Sequence, residues 1–314
     1  QEMVRAFSAW HDIDPRRVMA GNGSTQLIYS LPLALKTHKA LILGPTYADY
    51  ADACSMHHID YEYLIAPESK RFEIDIHQFQ QRARRFDTVF ICNPNNPTGT
   101  LIPAGELKSL CRSCPDTFFI IDESYLPFVD DPDTASMLKA ELSNVIVLNS
   151  MSKIFRIPGL RIGFLITSPG TVERMFRYRL PWSVNSLAQA AVLYLSTHHD
   201  QVETFNKQTR QYIEREKKRL TRRIQGSPHI KLFPSHTPFI LAKLLAPPGA
   251  DAVCQYLLKH RILVRNTSNF EGLTDAFLRF SLKSPEINTC FTDSLLDFFS
   301  TFELNDERSE KISA

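Results

Sequence analysis

The segment NSMSKIFRIPGLRIG, residues 149–163, combines an amine with groups that bind anions. The amine of Lys153 can form a Schiff base with an aldehyde. The hydroxyls of Ser150 and Ser152 and the guanidinium of Arg161 suit a phosphate. A lone lysine after an apolar run is more often a solvated charge, so the function of Lys153 has to be judged together with the other polar segments of the chain.

Two further polar segments carry groups that bind an aromatic ring. The carboxylate of Asp122, in DESY, can pair with a protonated pyridine nitrogen, and that charge makes the ring an electron sink. Asn96, in NPNNPTG, and Tyr125 can hydrogen-bond a ring hydroxyl, and Tyr47 can stack on a ring face. These groups match the ring of pyridoxal 5′-phosphate (PLP).

A glycine-rich segment, GNGST at residues 21–25, offers a second place for an anion. It predicts the start of a helix, where unpaired N–H groups and the helix dipole favour negative charge, and Ser24 and Thr25 add hydroxyls. Each segment has a structural explanation when it stands alone. GNGST is a common helix start, Asp122 can cap a helix, and NPNNPTG is rich in turn residues. Their occurrence together, in this order, favours a PLP site.

Short apolar runs place these segments at the ends of strands. The sequence predicts strands at residues 39–43, 88–92, 118–121, 145–148 and 162–167, with helices such as 26–35 and 105–112 between them. This alternation is typical of an α/β domain with a mostly parallel sheet. Ligands of such sheets bind at the carboxyl ends of the strands, where we expect the polar segments to meet.

The last third of the chain has a different pattern. A long helix at residues 202–224 precedes strands at 239–245, 262–266 and 277–282 and a closing helix near 290–303. We therefore predict a large PLP-binding domain over residues 1–201 and a linking helix with a smaller α+β domain over 202–314. The chain begins at Gln1 within a predicted helix, and we expect that an N-terminal arm of the natural protein is missing from it.

Composition limits the classes of partner. Apolar residues make up 43% and charged residues 22%, as in ordinary globular proteins, and the net charge of +2 argues against nucleic acid as the main partner. We find no run of 18 apolar residues and no secretory signal, so we predict a cytoplasmic protein without a membrane span. The six cysteines are scattered, and the single CxxC, Cys111 and Cys114, lacks the second pair or histidines of a zinc site, so we expect no metal.

The four segments in combination resemble the class I/II aminotransferase superfamily of fold-type-I PLP enzymes. NPNNPTG, DESY, SMSK and GLRIG carry the resemblance, which extends over about residues 18–298. It implies PLP as cofactor and a homodimer with active sites at the interface. It also implies a role for each cofactor residue: Lys153 as the lysine bonded to the cofactor, Asp122 at the pyridine nitrogen, Asn96 and Tyr125 at the ring oxygen, Tyr47 stacked on the ring, and Ser24, Thr25, Ser150, Ser152 and Arg161 at the phosphate.

Two branches of this superfamily take small phosphorylated substrates. The segments PWSVN, residues 181–185, and RILVRNTSNFEGL, residues 261–273, resemble the branch that decarboxylates L-threonine O-3-phosphate. That resemblance implies Arg279 at the substrate carboxylate and Arg265 at its phosphate, with Asn96 and Asn185 lining the substrate site. Tyr125 and the segment at residues 235–239 favour the alternative, histidinol-phosphate aminotransferase. We predict the decarboxylase, and keep a PLP-binding homologue without catalysis as a third reading.

Overall fold

The computed structural model describes residues 1–245 and 248–313, with side chains described as far as residue 301. The strands in this part of the chain are Val18–Asn22 (β1), Lys39–Gly44 (β2), Asp60–Ile65 (β3), Thr88–Cys92 (β4), Phe118–Asp122 (β5), Val145–Ser150 (β6), Ile162–Ile166 (β7), Ile230–Leu232 (β8), Phe239–Leu244 (β9), Arg265–Asn266 (β10) and Phe277–Ser281 (β11). The α-helices are Glu2–His11 (α1), Gly23–Leu35 (α2), Asp49–Met56 (α3), Ile76–Ala83 (α4), Ala104–Ser113 (α5), Pro132–Ala135 (α6), Pro169–Phe176 (α7), Ser186–Thr197 (α8), His199–Ile224 (α9), Ala250–Lys259 (α10) and Pro285–Ser313 (α11).

A seven-stranded sheet in the order β1-β7-β6-β5-β4-β2-β3 forms the larger layer. Strands β6, β5, β4, β2 and β3 pair in parallel, in that order across the sheet. Strand β7 runs antiparallel to both of its neighbours, β6 and β1. The predicted α/β class with a mostly parallel sheet is therefore confirmed. Parallel strands need crossover connections, and helices α3, α4 and α5 lie between consecutive parallel strands.

Apolar side chains cover both faces of this sheet. Successive strand residues point to opposite faces, so Phe119 belongs to one apolar cluster and Ile120 to the other. On the first face Phe7 of α1 stacks on Phe164 of β7, with ring centroids 3.8 Å apart and planes at 13°. Because the central strands are buried on both faces, they are apolar at nearly every position. Such continuous apolar runs can be recognised in the sequence alone.

A second sheet of four antiparallel strands follows in the order β10-β11-β9-β8. The long helix α9 covers 26 residues, starts at His199 and leads into this sheet. The predicted domain boundary at residues 201 and 202 therefore falls inside the first turn of α9, and the division into two domains stays a prediction. None of the helices in the described part of the chain combines the length and the apolar character that crossing a membrane requires.

Several edge elements differ from the sequence prediction. Strand β10 pairs only at Arg265 and Asn266 rather than over residues 262–266, because the N–H of Ile262 bonds back to Leu257 in the turn that ends α10. Strands β1, β3 and β8 were not predicted. In β3, DYEYLI, no side chain is buried, and β1 ends in Gly21 and Asn22, so neither has the continuous apolar pattern of a central strand.

The stability of the protein should depend on pH through His11. Its ring lies between Phe7 and Trp10, with centroid distances of 4.4 and 5.1 Å. Burial first, and the charges of Lys139 and His199 next, lower the pKa of His11 from 6.5 to about 4. The unfolded chain binds this proton more tightly, so the contribution is present above pH 6.5 and is lost as pH falls towards 4.

We predict that His11 adds about 3 kcal/mol to the rise in unfolding free energy across that interval. Urea denaturation at a series of pH values measures it. His11→Gln should flatten the rise, whereas the exposed control His77→Gln should keep the slope of the parent protein. Equal slopes in the parent and in His11→Gln would contradict the prediction.

Candidate active site

The carboxyl ends of the parallel strands bring the polar segments to one edge of the large sheet. Asp122 ends β5 and is paired in register with Cys92 of β4 and Leu148 of β6. The segment NPNNPTG follows β4, and Ser150 ends β6. The predicted convergence of these segments follows from the parallel pairing.

A close approach of β7 to α2 builds the first part of the site. Gly163 of β7 is the register partner of both Ser150 of β6 and Gly21 of β1. A Cβ atom on Gly163 would lie 2.4 Å from the backbone nitrogen of Ser24, which no real side chain permits. Glycine at this position therefore lets the first turn of α2 rest on β7.

Arg161 lies beside that first turn. Its Nη2 is 3.5 Å from the Thr25 hydroxyl, and a Cβ on Gly23, which has φ +71°, would lie 2.4 Å from the same Nη2. Asn22, the N-cap residue of α2, makes no side-chain hydrogen bond to the helix, so the first N–H groups of α2 stay available. Positive charge from the guanidinium and from the helix start thus meets at one point.

Ser152 completes this group of donors. Its hydroxyl is buried and has no hydrogen-bond partner among the described residues, while its N–H donates to the Ser150 hydroxyl at 3.3 Å. A buried hydroxyl without a partner costs free energy, which a ligand oxygen would recover. We call Gly23, Ser24, Thr25, Ser152 and Arg161 the anion pocket.

Asp122 provides the opposite charge and is buried. Its Oδ1 accepts hydrogen bonds from the N–H and the hydroxyl of Ser124, at 3.0 and 2.5 Å. Its Oδ2 accepts one from the Tyr50 hydroxyl at 2.9 Å. Tyr47 lies between Asp122 and the anion pocket: its ring meets that of Tyr50 edge-on with centroids 5.8 Å apart, and its hydroxyl interacts with Asp49 and Thr25.

Lys153 lies on the side of the site that faces the small sheet. Its Nζ is 5.7 Å from the ring centre of Tyr125, whose pKa burial raises to about 12. Arg279 of β11 donates to Asn96 Oδ1 through Nη1, and its guanidinium lies 4.7 Å from the ring centre of Phe239. The Nε of Arg279 is buried without a partner among the described residues, and burial lowers the pKa of this arginine.

Two predicted substrate residues make their hydrogen bonds outside this group. Arg265 is exposed and donates to Asn269 at 3.2 Å, and it is the register partner of Arg279. Asn185 caps α8, with Oδ1 accepting from Ala188 N at 2.9 Å. Its amide also donates to the Leu160 carbonyl at 2.9 Å, so its observed contacts are structural.

The predicted residues fit PLP by their chemistry. The unpaired Ser152 hydroxyl, Arg161 and the start of α2 suit a phosphate, and Asp122 suits a protonated ring nitrogen. Sequence reasoning missed Tyr50 and Ser124, which hold Asp122. Ser124 is next but one to Asp122 and could have been found as a local hydrogen-bond donor, whereas Tyr50 is 72 residues away.

The fold and its mostly parallel sheet place the chain in the class of fold-type-I PLP-dependent enzymes. The chain belongs to the aminotransferase class I and II family, whose profile it matches over residues 2–294.

Relatives from both predicted branches are similar to this chain. It is 32% identical over 295 residues to the adenosylcobalamin biosynthesis bifunctional protein CobDQ of Leptospira interrogans, covering 92% of this chain but only 33% of that protein. It is 30% identical over 306 residues to the histidinol-phosphate aminotransferase of Thermoanaerobacter sp. strain X514, covering 94% of this chain and 81% of the relative. The crystal structure of L-threonine-O-3-phosphate decarboxylase from Porphyromonas gingivalis superposes with a TM-score of 0.84 at 26% identity, over 95% of this chain and 88% of the other.

The close approach at Gly163 can be tested with a matched pair of glycine variants. Gly163→Ala should separate β7 from α2 and distort the anion pocket, so we predict a PLP dissociation constant at least about tenfold higher and a loss of about 1–3 kcal/mol of unfolding free energy. Gly170→Ala, where the added Cβ meets nothing within 4 Å, should stay within about 0.5 kcal/mol of the parent. Absorbance titration with PLP and urea denaturation measure both. Unchanged PLP affinity in Gly163→Ala would show that this approach does not shape the cofactor site.

Proposed function

We propose that this chain decarboxylates L-threonine O-3-phosphate to (R)-1-amino-2-propanol O-2-phosphate in cobalamin biosynthesis. Support comes from the segments at residues 181–185 and 261–273, which resemble that branch of the family. The Leptospira relative, named for adenosylcobalamin biosynthesis, gives further support. The substrate class follows from the arginines described next.

The observation that carries the substrate class is the pairing of Arg265 with Arg279. The two residues are register partners on neighbouring antiparallel strands, so their side chains leave the same face of the small sheet. Arg279 is half-buried beside Asn96 and Arg265 is exposed. Two guanidinium groups at different depths suit a ligand with two anionic groups, a carboxylate inside and a phosphate near the surface.

Each remaining residue has a role in this proposal. Bound PLP supplies an aldehyde that bonds to an amine and a ring that accepts the electrons of a broken bond at Cα. Asp122 would pair with the ring nitrogen, and the anion pocket would bind the phosphate of the cofactor. Asn96 and Tyr125 would hydrogen-bond the ring oxygen. Lys153 would hold the cofactor through its amine and would move protons at the substrate Cα.

The direction of the carboxylate determines the reaction. Arg279 would hold the substrate carboxylate, and its contacts with Phe239 and Asn96 would orient that group. In the decarboxylase the bond between Cα and the carboxylate would break, so that CO₂ leaves and a proton replaces it. In the aminotransferase Lys153 would instead remove the proton from Cα.

A second candidate is histidinol-phosphate aminotransferase. Tyr125, at the position where most aminotransferases of this family carry tyrosine, favours it, and the Thermoanaerobacter relative with that name is 30% identical. A PLP-binding protein without catalysis is the third. Retention of Lys153, Asp122 and Arg279 together argues against that reading.

The deciding experiment mixes the PLP-loaded protein with L-threonine O-3-phosphate in the absence of any keto acid. We predict catalytic release of CO₂ and of aminopropanol phosphate, which Lys153→Ala abolishes because the amine that moves protons is gone. Arg279→Lys should lower kcat/KM at least about a hundredfold, since an ammonium cannot replace the planar guanidinium. Mass spectrometry of the product and trapping of CO₂ measure both.

The result separates the three candidates. No CO₂, but turnover of histidinol phosphate once 2-oxoglutarate is added, would replace the decarboxylase by the aminotransferase. A yellow protein that turns over neither substrate would favour the non-catalytic reading. The surface variant Lys36→Ala, remote from the site, serves as the control for purification and loading.

We also infer that the chain forms a homodimer. Leu180, Trp182, Leu187 and Tyr194 lie close together in sequence, from the segment before α8 into the helix, and are 65, 96, 69 and 57% exposed. Several large apolar side chains exposed within one short segment are typical of an interaction surface. Burial of these side chains against a second copy would remove them from water.

Light scattering during size-exclusion chromatography tests this inference. The parent should elute with twice the mass of one chain, and Leu187→Glu should shift the population towards the single chain, because a charge in an apolar interface is costly. Leu263→Glu, at a position 87% exposed and outside this group, should leave the mass unchanged. A single-chain mass for the parent at all concentrations would overturn the inference.

A further inference from the structure

Tyr50 is fixed beneath the carboxylate of Asp122. Its side chain on α3 is fully buried. Its ring stacks on Phe90 of β4, with centroids 5.2 Å apart and planes at 19°, and meets Tyr47 edge-on. Its hydroxyl donates to Asp122 Oδ2 at 2.9 Å and also interacts with the thiol of Cys92.

Counting acceptor positions shows where a ring nitrogen can bond. A carboxylate offers about two lone-pair positions on each oxygen. Oδ1 of Asp122 already accepts both bonds from Ser124. Oδ2 accepts one bond, from Tyr50, among the described residues. The remaining position is on Oδ2, so a ring N–H and the Tyr50 hydroxyl would share one oxygen.

The donors at this oxygen bear on where the proton of the pair would reside. In general, a hydrogen bond to a carboxylate favours its charged form. Loss of such a donor would hold the proton less firmly on the ring nitrogen, and the ring would lose the charge that makes it an electron sink. The hydroxyl itself remains a donor, because burial first and the charge of Asp122 next hold the pKa of Tyr50 well above its ordinary value.

We propose that Tyr50 is a positioning residue: it holds Asp122 Oδ2 where that oxygen can accept the ring N–H of the cofactor, and it thereby keeps the proton on the ring nitrogen. The inference rests on the proposed role of Asp122, but not on which reaction the enzyme catalyses. It distinguishes Tyr50 from a residue that only fills the core, since phenylalanine would fill nearly the same space.

The test follows the ring nitrogen itself, without substrate. Tyr50→Phe is loaded with PLP that carries nitrogen-15 in the ring, and its resonance is compared with that of the parent. We expect the nitrogen-15 resonance to shift towards the position of unprotonated pyridine, and the visible spectrum to change. We also expect a kcat about tenfold lower, which equals a loss of about 1.4 kcal/mol of transition-state stabilisation. The partly buried control Tyr63→Phe loses a hydroxyl in the same apolar cluster and should match the parent. A parent-like resonance in Tyr50→Phe, or an unprotonated ring nitrogen in the parent, would overturn the proposal.

A second pair of variants keeps the test decisive if Tyr50→Phe does not fold. 4-Aminophenylalanine at position 50 retains a donor, and 4-methylphenylalanine has nearly the same size without one. The first should preserve the protonated resonance and the second should lose it. The same resonance in both would reject the role of the hydroxyl. Because the nitrogen signal needs no turnover, failure of the decarboxylase proposal would leave this result interpretable.

Discussion

The close approach of Gly163 to the start of α2 is the contact on which the rest of the site depends. It allows three adjacent strand ends and a helix N-terminus to meet with Arg161 beside them. The guanidinium and the helix start are both positive and repel each other unless an anion lies between them. The fold therefore creates a position that favours a negatively charged group.

Asp122 gives the site its second pole. The anion pocket lies at one end, the buried carboxylate lies at the other, and Tyr47 stands between them. A flat ligand with a negative group at one end and a protonated ring nitrogen at the other can pair with the anion pocket and with Asp122 in only one orientation. In the proposed site, these two opposite charges would set the direction of the cofactor before any covalent bond forms.

The central strands and the meeting of the polar segments at one edge of the sheet were predictable, because they depend on local patterns. Every side chain of a strand such as β4 is buried, so the strand is recognisable in the sequence as an apolar run. Edge strands β3 and β10 were missed or misplaced, since their pairing depends on neighbours rather than on composition. Tyr50 could not be assigned, because its bond to Asp122 joins residues 72 positions apart. The structure supports the grouping of Lys153, Tyr125, Asn96 and Arg279, whereas the chemical roles of these residues stay predictions.

The bond between Asn96 and Arg279 has a consequence for selectivity. It joins the loop after β4 to the small sheet, and it gives the guanidinium a neutral acceptor when no other is present. A carboxylate is a stronger acceptor than an amide oxygen and can take its place. An alcohol or a neutral amide has no such advantage, so it would leave the arginine where it is. In the proposed role of Arg279 as the carboxylate-binding residue, Asn96 would compete with the substrate for the guanidinium, and only a stronger acceptor than an amide oxygen would displace it.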